Sequence, residues 1–253
     1  MSSALGDRII DHLGTVLRLR AARAADPALA ARVKAVKTYQ ARRFALTYAD
    51  LLASPRYRAA ARFFLEELYG PQEFAERDAQ FGRIVPSLVR LFPSELVGTV
   101  AMLGELHALS ETLDDGTARH LPAGPPGAPA DRPTDAPAYA RAWQANGHAP
   151  AREQQIALTL AIGAAMNRYT RNRVMRHTLR LMRGPARAAG LGDLQRFLET
   201  GFDAFGAMKG ADDFLRWVGE RERALAAALF APAAVASAEL PLAQRSGPLA
   251  QLP

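Results

Sequence analysis

The sequence has no cysteine, and that one absence removes disulfides, thiolate nucleophiles and cysteine-ligated metal or iron–sulfur centres. Alternating β-type segments are missing too, which leaves little of the chain for a sheet. The longest nearly apolar run, residues 156–166, falls well short of the roughly 20 residues that cross a bilayer. The opening MSSALGDRIIDHLG has no basic segment leading into an apolar one, so no signal peptide is expected and the chain reads as cytoplasmic. There is no GxSxG elbow, no GxxxxGK[ST] loop and no HExxH. None of the histidines follows a glutamate by three positions, the spacing used by di-iron bundles. Composition and motifs therefore nominate no catalytic or metal-binding residue, and the reading leans away from an enzyme.

What is present is an ordinary globular composition over 253 residues, 49% hydrophobic and 23% charged, enough for one large core. The net charge of +7 is concentrated. Between Pro150 and Gly190 eight arginines face the single acid Glu153, which accounts for the whole excess. Of the 32 basic residues 29 are Arg, a bias that suits bidentate phosphate recognition and equally reflects a chain rich in Arg and Ala.

Periodicity predicts an all-α, multi-helix bundle of about seven to nine helices. Residues 5–24 read as an amphipathic first helix. Asp26-Pro27 caps a second that runs to about Ala53. On it Leu29, Val33, Val36, Gln40 and Phe44 share a face, so Gln40 interrupts an apolar stripe and must find partners if buried. Ser54-Pro55 and Gly70-Pro71 bracket a short helix, RYRAAARFFLEELYG, with aromatics on more than one side. Its adjacent Glu66 and Glu67 point about 100° apart, poor geometry for paired-carboxylate chemistry. Glu73 and Arg77 form an i, i+4 pair in the next segment, where Pro86 starts or kinks a second piece.

After Pro93-Ser94 a helix runs to about Leu113, and on it Leu96, Val100, Leu103 and His107 lie on one stripe. A core-facing imidazole there could be an axial haem ligand, a proton carrier, a metal ligand, or a side chain satisfied by a carboxylate or carbonyl. Residues 114–138, with six prolines and three glycines, read as a flexible connector between an N-terminal helical half, 1–113, and a C-terminal half, 139–230, packing as one domain. Pro150 opens the longest predicted helix, buried through residues 156–166 and reaching about Arg183 before Gly184-Pro185. Arg173, Arg176, Arg180 and Arg183 would form a basic ridge on it. Gly201 and Gly206 inside a later helix predict a break or close helix packing. The Ala/Pro-rich tail, 231–253, reads as disordered.

The segment FFLEELYG, with KTYQARRFALTYADLLASPRY before it and RDAQFGRIVPSLVRLFP after it, resembles a bacterial family known by its FFLEELY motif. The similarity continues through LRLMRGPARAAGLGDLQRFLETGFDAFGAMKGADDFLRWVGERE and covers most of residues 30–225. It implies no activity, cofactor or catalytic residue. Two expectations follow from the residues themselves. The first is a regulatory or interaction protein that sets its Arg ridge against an acidic protein or nucleic acid. The second is a ligand- or haem-binding bundle in which Gln40, Arg62, Glu66 and His107 converge. An enzyme using Tyr57, Arg62 and Glu66 is a weaker third.

Overall fold

Helix succeeds helix in the computed structural model, which describes residues 2–68, 75–91, 93–122 and 134–253, with backbone alone for 2, 3, 68, 75, 77, 88, 91 and 173. Among the described residues there is no strand. The order begins α1 (Ser2–Ala25), α2 (Pro27–Thr47), α3 (Ala49–Ala53) and α4 (Arg58–Phe63), which runs on as a π-helical turn, Phe64–Leu68. It continues with α5 (Ala75–Leu91), α6 (Ser94–Arg119), α7 (Ala136–Asn146), α8 (Ala149–Thr170), α9 (Arg173–Leu181) and α10 (Arg183–Ala188). The chain closes with α11 (Gly192–Ala207), α12 (Asp212–Phe230), α13 (Ala234–Glu239) and two 3₁₀ turns, Leu242–Gln244 and Gly247–Gln251. Gly70-Pro71 and Glu73 lie outside the described residues.

The Asp26 cap is made as expected, whereas Ser54 ends α3 instead of capping α4, and α6 begins at Ser94 with no side-chain cap. Asp26 accepts from the Leu29 backbone N–H at 3.0 Å, and Asp135 accepts from that of Ala138 at 2.8 Å. Gly147, with φ 67°, ends α7.

Four expectations need correction. The helix count exceeds seven to nine because two predicted helices divide. The one expected to reach Ala53 turns at Tyr48. The one expected to reach Arg183 stops at Thr170, because Asn172 has extended backbone and its side chain accepts from the N–H groups of Val174 and Met175, capping a new helix. Gly184-Pro185, expected as a stop, sits in the first turn of α10, where proline lacks nothing that the helix needs.

The connector does not begin at 114. Helix α6 continues to Arg119 because Asp114, Asp115, Thr117 and Ala118 are all buried in it, and residues 123–133 of the connector lie outside the described residues. The tail, expected to be disordered, is helical over α13. It buries Ala234 and Ala238, and it drives Leu249 and Leu252 into the core beside Leu29, Val33 and Leu229.

Three apolar clusters hold the helices. One joins α2, α7, α12, α13 and the tail. A second is aromatic and centred on Phe64, which meets Phe44, Phe63, Phe205 and Phe214 at ring separations of 5.6–6.4 Å. The third ties Ile9 of α1 to Val85 of α5 and to Val97 and Ala101 of α6. Gly201 marks close packing rather than a break: a Cβ there would lie 2.9 Å from Cζ of Phe63.

Candidate functional site

Beside the aromatic cluster, the long helices leave a cleft of about 140 Å³. Its floor comes from α6, whose Val100, Leu103, His107, Glu111 and Asp114 line it. Lys37 and Gln40 of α2, Asp78 and Phe81 of α5, Gln155 and Thr159 of α8, and Leu194, Phe197 and Leu198 of α11 supply the walls. The π turn contributes Glu67. Gln80 of α5 seats α11 against this space. Its amide oxygen accepts from the Leu194 backbone N–H at 3.1 Å, and its nitrogen donates to Asp193 at 3.2 Å, so a buried side chain satisfies the open end of the neighbouring helix.

One end of the cleft is polar and fully engaged in charge. Arg23 of α1 donates to Glu111 through Nη1, to the Glu111 carbonyl at 3.0 Å and to Asp115 at 3.1 Å, while Lys37 donates to the other Glu111 oxygen at 2.6 Å. Burial pushes the Glu111 carboxyl up, but Lys37 and Arg23 outweigh it and hold the group down to about 2. Asp115 also takes Arg119 at 2.8 Å. Asp78 accepts from Arg20 at 2.6 Å and lies 2.9 Å from Nε2 of His107. These two partners overcome the burial that would raise the Asp78 carboxyl and keep it below its ordinary range. Asp114 differs. Its Oδ1 accepts from the Gln40 amide at 2.9 Å, and burial raises its carboxyl. Gln40 also donates to the Tyr139 hydroxyl at 3.4 Å, and the Tyr139 ring stacks on Tyr39 at 4.3 Å. A smaller pocket of about 40 Å³ behind Gln40, Gln155 and Thr159 has room for water and reaches Trp143, whose buried Nε1 has no partner among the described residues.

The four residues expected to converge separate into two pairs. Gln40 and His107 both line the cleft. Arg62 and Glu66 are exposed and do not. The neighbour Glu67 faces inward instead, because the π turn changes the angular spacing that an α-helix would have given. Tyr57 is absorbed by the aromatic cluster, stacked on Phe214 at 6.2 Å and edge-on to Trp217 at 5.4 Å. His107 is not placed as an open axial ligand, since its Nε2 is taken up by Asp78 at 2.9 Å, and the cleft of about 140 Å³ is small for a porphyrin. Among the described residues no group of three His, Asp or Glu side chains is placed to hold a metal ion.

The expected basic ridge is divided between α9 and α10, and two of its four arginines make contacts within the chain. Arg183 pairs with Glu199 at 2.6 Å, and the Arg176 guanidinium lies over the Phe202 ring at 5.6 Å. Arg180 is exposed, and the Arg173 side chain lies outside the described residues. Sequence reading missed Lys37, Glu111 and Asp114. For the acids the signal was available, since the 3–4 spacing of 111, 114 and 115 puts them on one side of α6, but Asp114 and Asp115 fell at the start of a stretch read as connector.

A helical bundle with an internal, one-ended polar cleft is the class that these features define. The chain belongs to the family of a domain of unknown function, DUF8198, whose model matches residues 19–235. That stretch contains every lining residue named above; the family's description makes no mention of an FFLEELY motif. No curated protein and no solved structure matches the chain. Among the described residues no helix is long and apolar enough to cross a membrane.

Proposed function

We propose that this protein is a binding protein for a small molecule with an apolar body, held in the cleft between α2, α5, α6, α8 and α11. The observation that carries this reading is the cleft itself: about 140 Å³ walled by Phe81, Val100, Leu103, Phe197 and Leu198, with Gln40, His107 and Asp114 at its polar side. A void of this size is close to the ~150 Å³ in which benzene binds within an apolar protein interior. Empty space at a seam between helices costs packing energy, so a fold that keeps it open gives up stability that a ligand returns. An anionic partner on the arginines of α9 and α10 has less support, since Arg176 and Arg183 already have contacts within the chain.

The test is thermal unfolding with toluene as the probe. At a concentration about 100 times its Kd, toluene stabilises by about 2.7 kcal/mol, which raises Tm by roughly 5–10 °C for a chain of this size. Leu198, 39% exposed at the rim, can be replaced by Trp without disturbing the interior. Leu198→Trp fills the cleft and removes the toluene shift while leaving the unliganded Tm within a few degrees. Identical shifts in the two proteins, or none in the wild type, would overturn the reading.

A further inference from the structure

Asp114 stands apart from the other acids around the cleft. Asp78 has Arg20 and His107, Glu111 has Arg23 and Lys37, and Asp115 has Arg23 and Arg119. Asp114 has the Gln40 amide on Oδ1 and, among the described residues, neither a cation in ion-pair contact nor any donor on Oδ2. It is 6% exposed and lines the cleft. A buried carboxylate with no counter-cation is costly, and a ligand that brings the cation removes the cost.

We propose that Asp114 makes the cleft selective for a small organic amine, taking the ammonium on Oδ2 while Gln40 holds Oδ1 and the apolar walls enclose the amine's hydrocarbon body. This rests on the cleft being a binding site. Burial raises the Asp114 carboxyl, disfavouring its charged form; an ammonium on Oδ2 restores that form, any proton on the acid leaves to solvent, and an ion pair remains. The groups facing Asp114 are Lys37 from α2, Glu111 on α6 itself, Tyr139 from α7 and Arg152 from α8. Lys37 donates to Glu111 at 2.6 Å, and Arg152 donates to Thr117 at 3.0 Å and lies 3.9 Å over the Trp143 ring; both lower the Asp114 carboxyl through space, and burial outweighs them.

Calorimetric titration of the full chain with benzylamine, benzyl alcohol and toluene tests the proposal. The wild type binds benzylamine at least about tenfold more tightly than benzyl alcohol, a difference of about 1.4 kcal/mol. Asp114→Asn keeps the shape and the Gln40 contact but loses the preference, its affinity for benzylamine falling to that for benzyl alcohol. Toluene binding without an amine preference, or a preference that survives in Asp114→Asn, overturns the assignment and leaves the cleft reading intact. Failure of all three probes in the wild type overturns both.

Discussion

Phe64 and Asp114 are buried almost equally, 3% and 6% exposed, yet they sit in opposite surroundings. Around Phe64 four aromatic rings close a dry cluster that fixes α4 and the π turn against α2, α11 and α12. Around Asp114 lie charged and amide groups from α1, α2, α6 and α8, paired with care except at one carboxyl oxygen. Phe197 belongs to both regions: its ring meets Phe63 at 5.4 Å and its edge lines the cleft. The difference teaches that the most distinctive sequence in the chain, FFLEEL, builds the dry cluster beside the cleft and lends the cleft only Glu67, while the charged and amide groups lie on α2 and α6, where no motif announces them.

The comparison can be broken first on its dry side. Phe64→Ala leaves a cavity among four rings and should cost about 3–5 kcal/mol, read as a fall in denaturant midpoint with the cooperativity retained. A loss below about 1 kcal/mol would mean that the cluster repacks freely and is not the anchor. On the charged side, Glu111 is held at about 2 against an ordinary 4.5, so its contribution is complete above pH 4.5 and disappears as the pH falls toward 2. That contribution is roughly 3 kcal/mol from a shift of this size. Glu111→Gln should therefore destabilise the protein at neutral pH and flatten the acid limb of its stability profile, whereas Phe64→Ala should lower the profile evenly. A parallel acid limb in the two variants would erase the distinction.

Gly201→Ala presses a methyl group toward the Phe63 ring across a 2.9 Å gap and should cost about 1–3 kcal/mol. A neutral result would show that Phe63 can withdraw. The smallest effect is of opposite sign. Burial raises the Asp114 carboxyl in the folded protein above its ordinary 3.8, so above pH 3.8 its ionisation favours the unfolded chain and folding is penalised. Asp114→Asn should be more stable than the wild type at pH 7, with the gain vanishing as the pH falls below 3.8; destabilisation at pH 7 would contradict this.

The start of α2 was legible because Asp26-Pro27 satisfies local backbone groups, and local chemistry is what a sequence displays. The division at Asn172 was local too, but the apolar and basic run around it outweighed a single capping side chain. The end of α6 was not local: Asp114 and Asp115 look like the start of a polar loop until Gln40, Arg23 and Arg119 reach them from elsewhere. The same holds for the tail, whose small residues give no periodic signal yet fit closely against α7 and α12. At the cleft, Gln40 and His107 could be found because a polar residue in an apolar stripe demands a partner. Glu67 could not be preferred to Glu66, since the choice depends on a π turn that α-helical spacing does not anticipate.

Methyl-resolved NMR with toluene tests the central claim most directly, because it reads both regions in one experiment. The account predicts saturable shifts confined to methyl groups of Val100, Leu103, Leu194 and Leu198 at the cleft, with Met208 and Val218 of the aromatic cluster unmoved. Shifts centred on Met208 and Val218, or no saturable shift at the cleft, would contradict it.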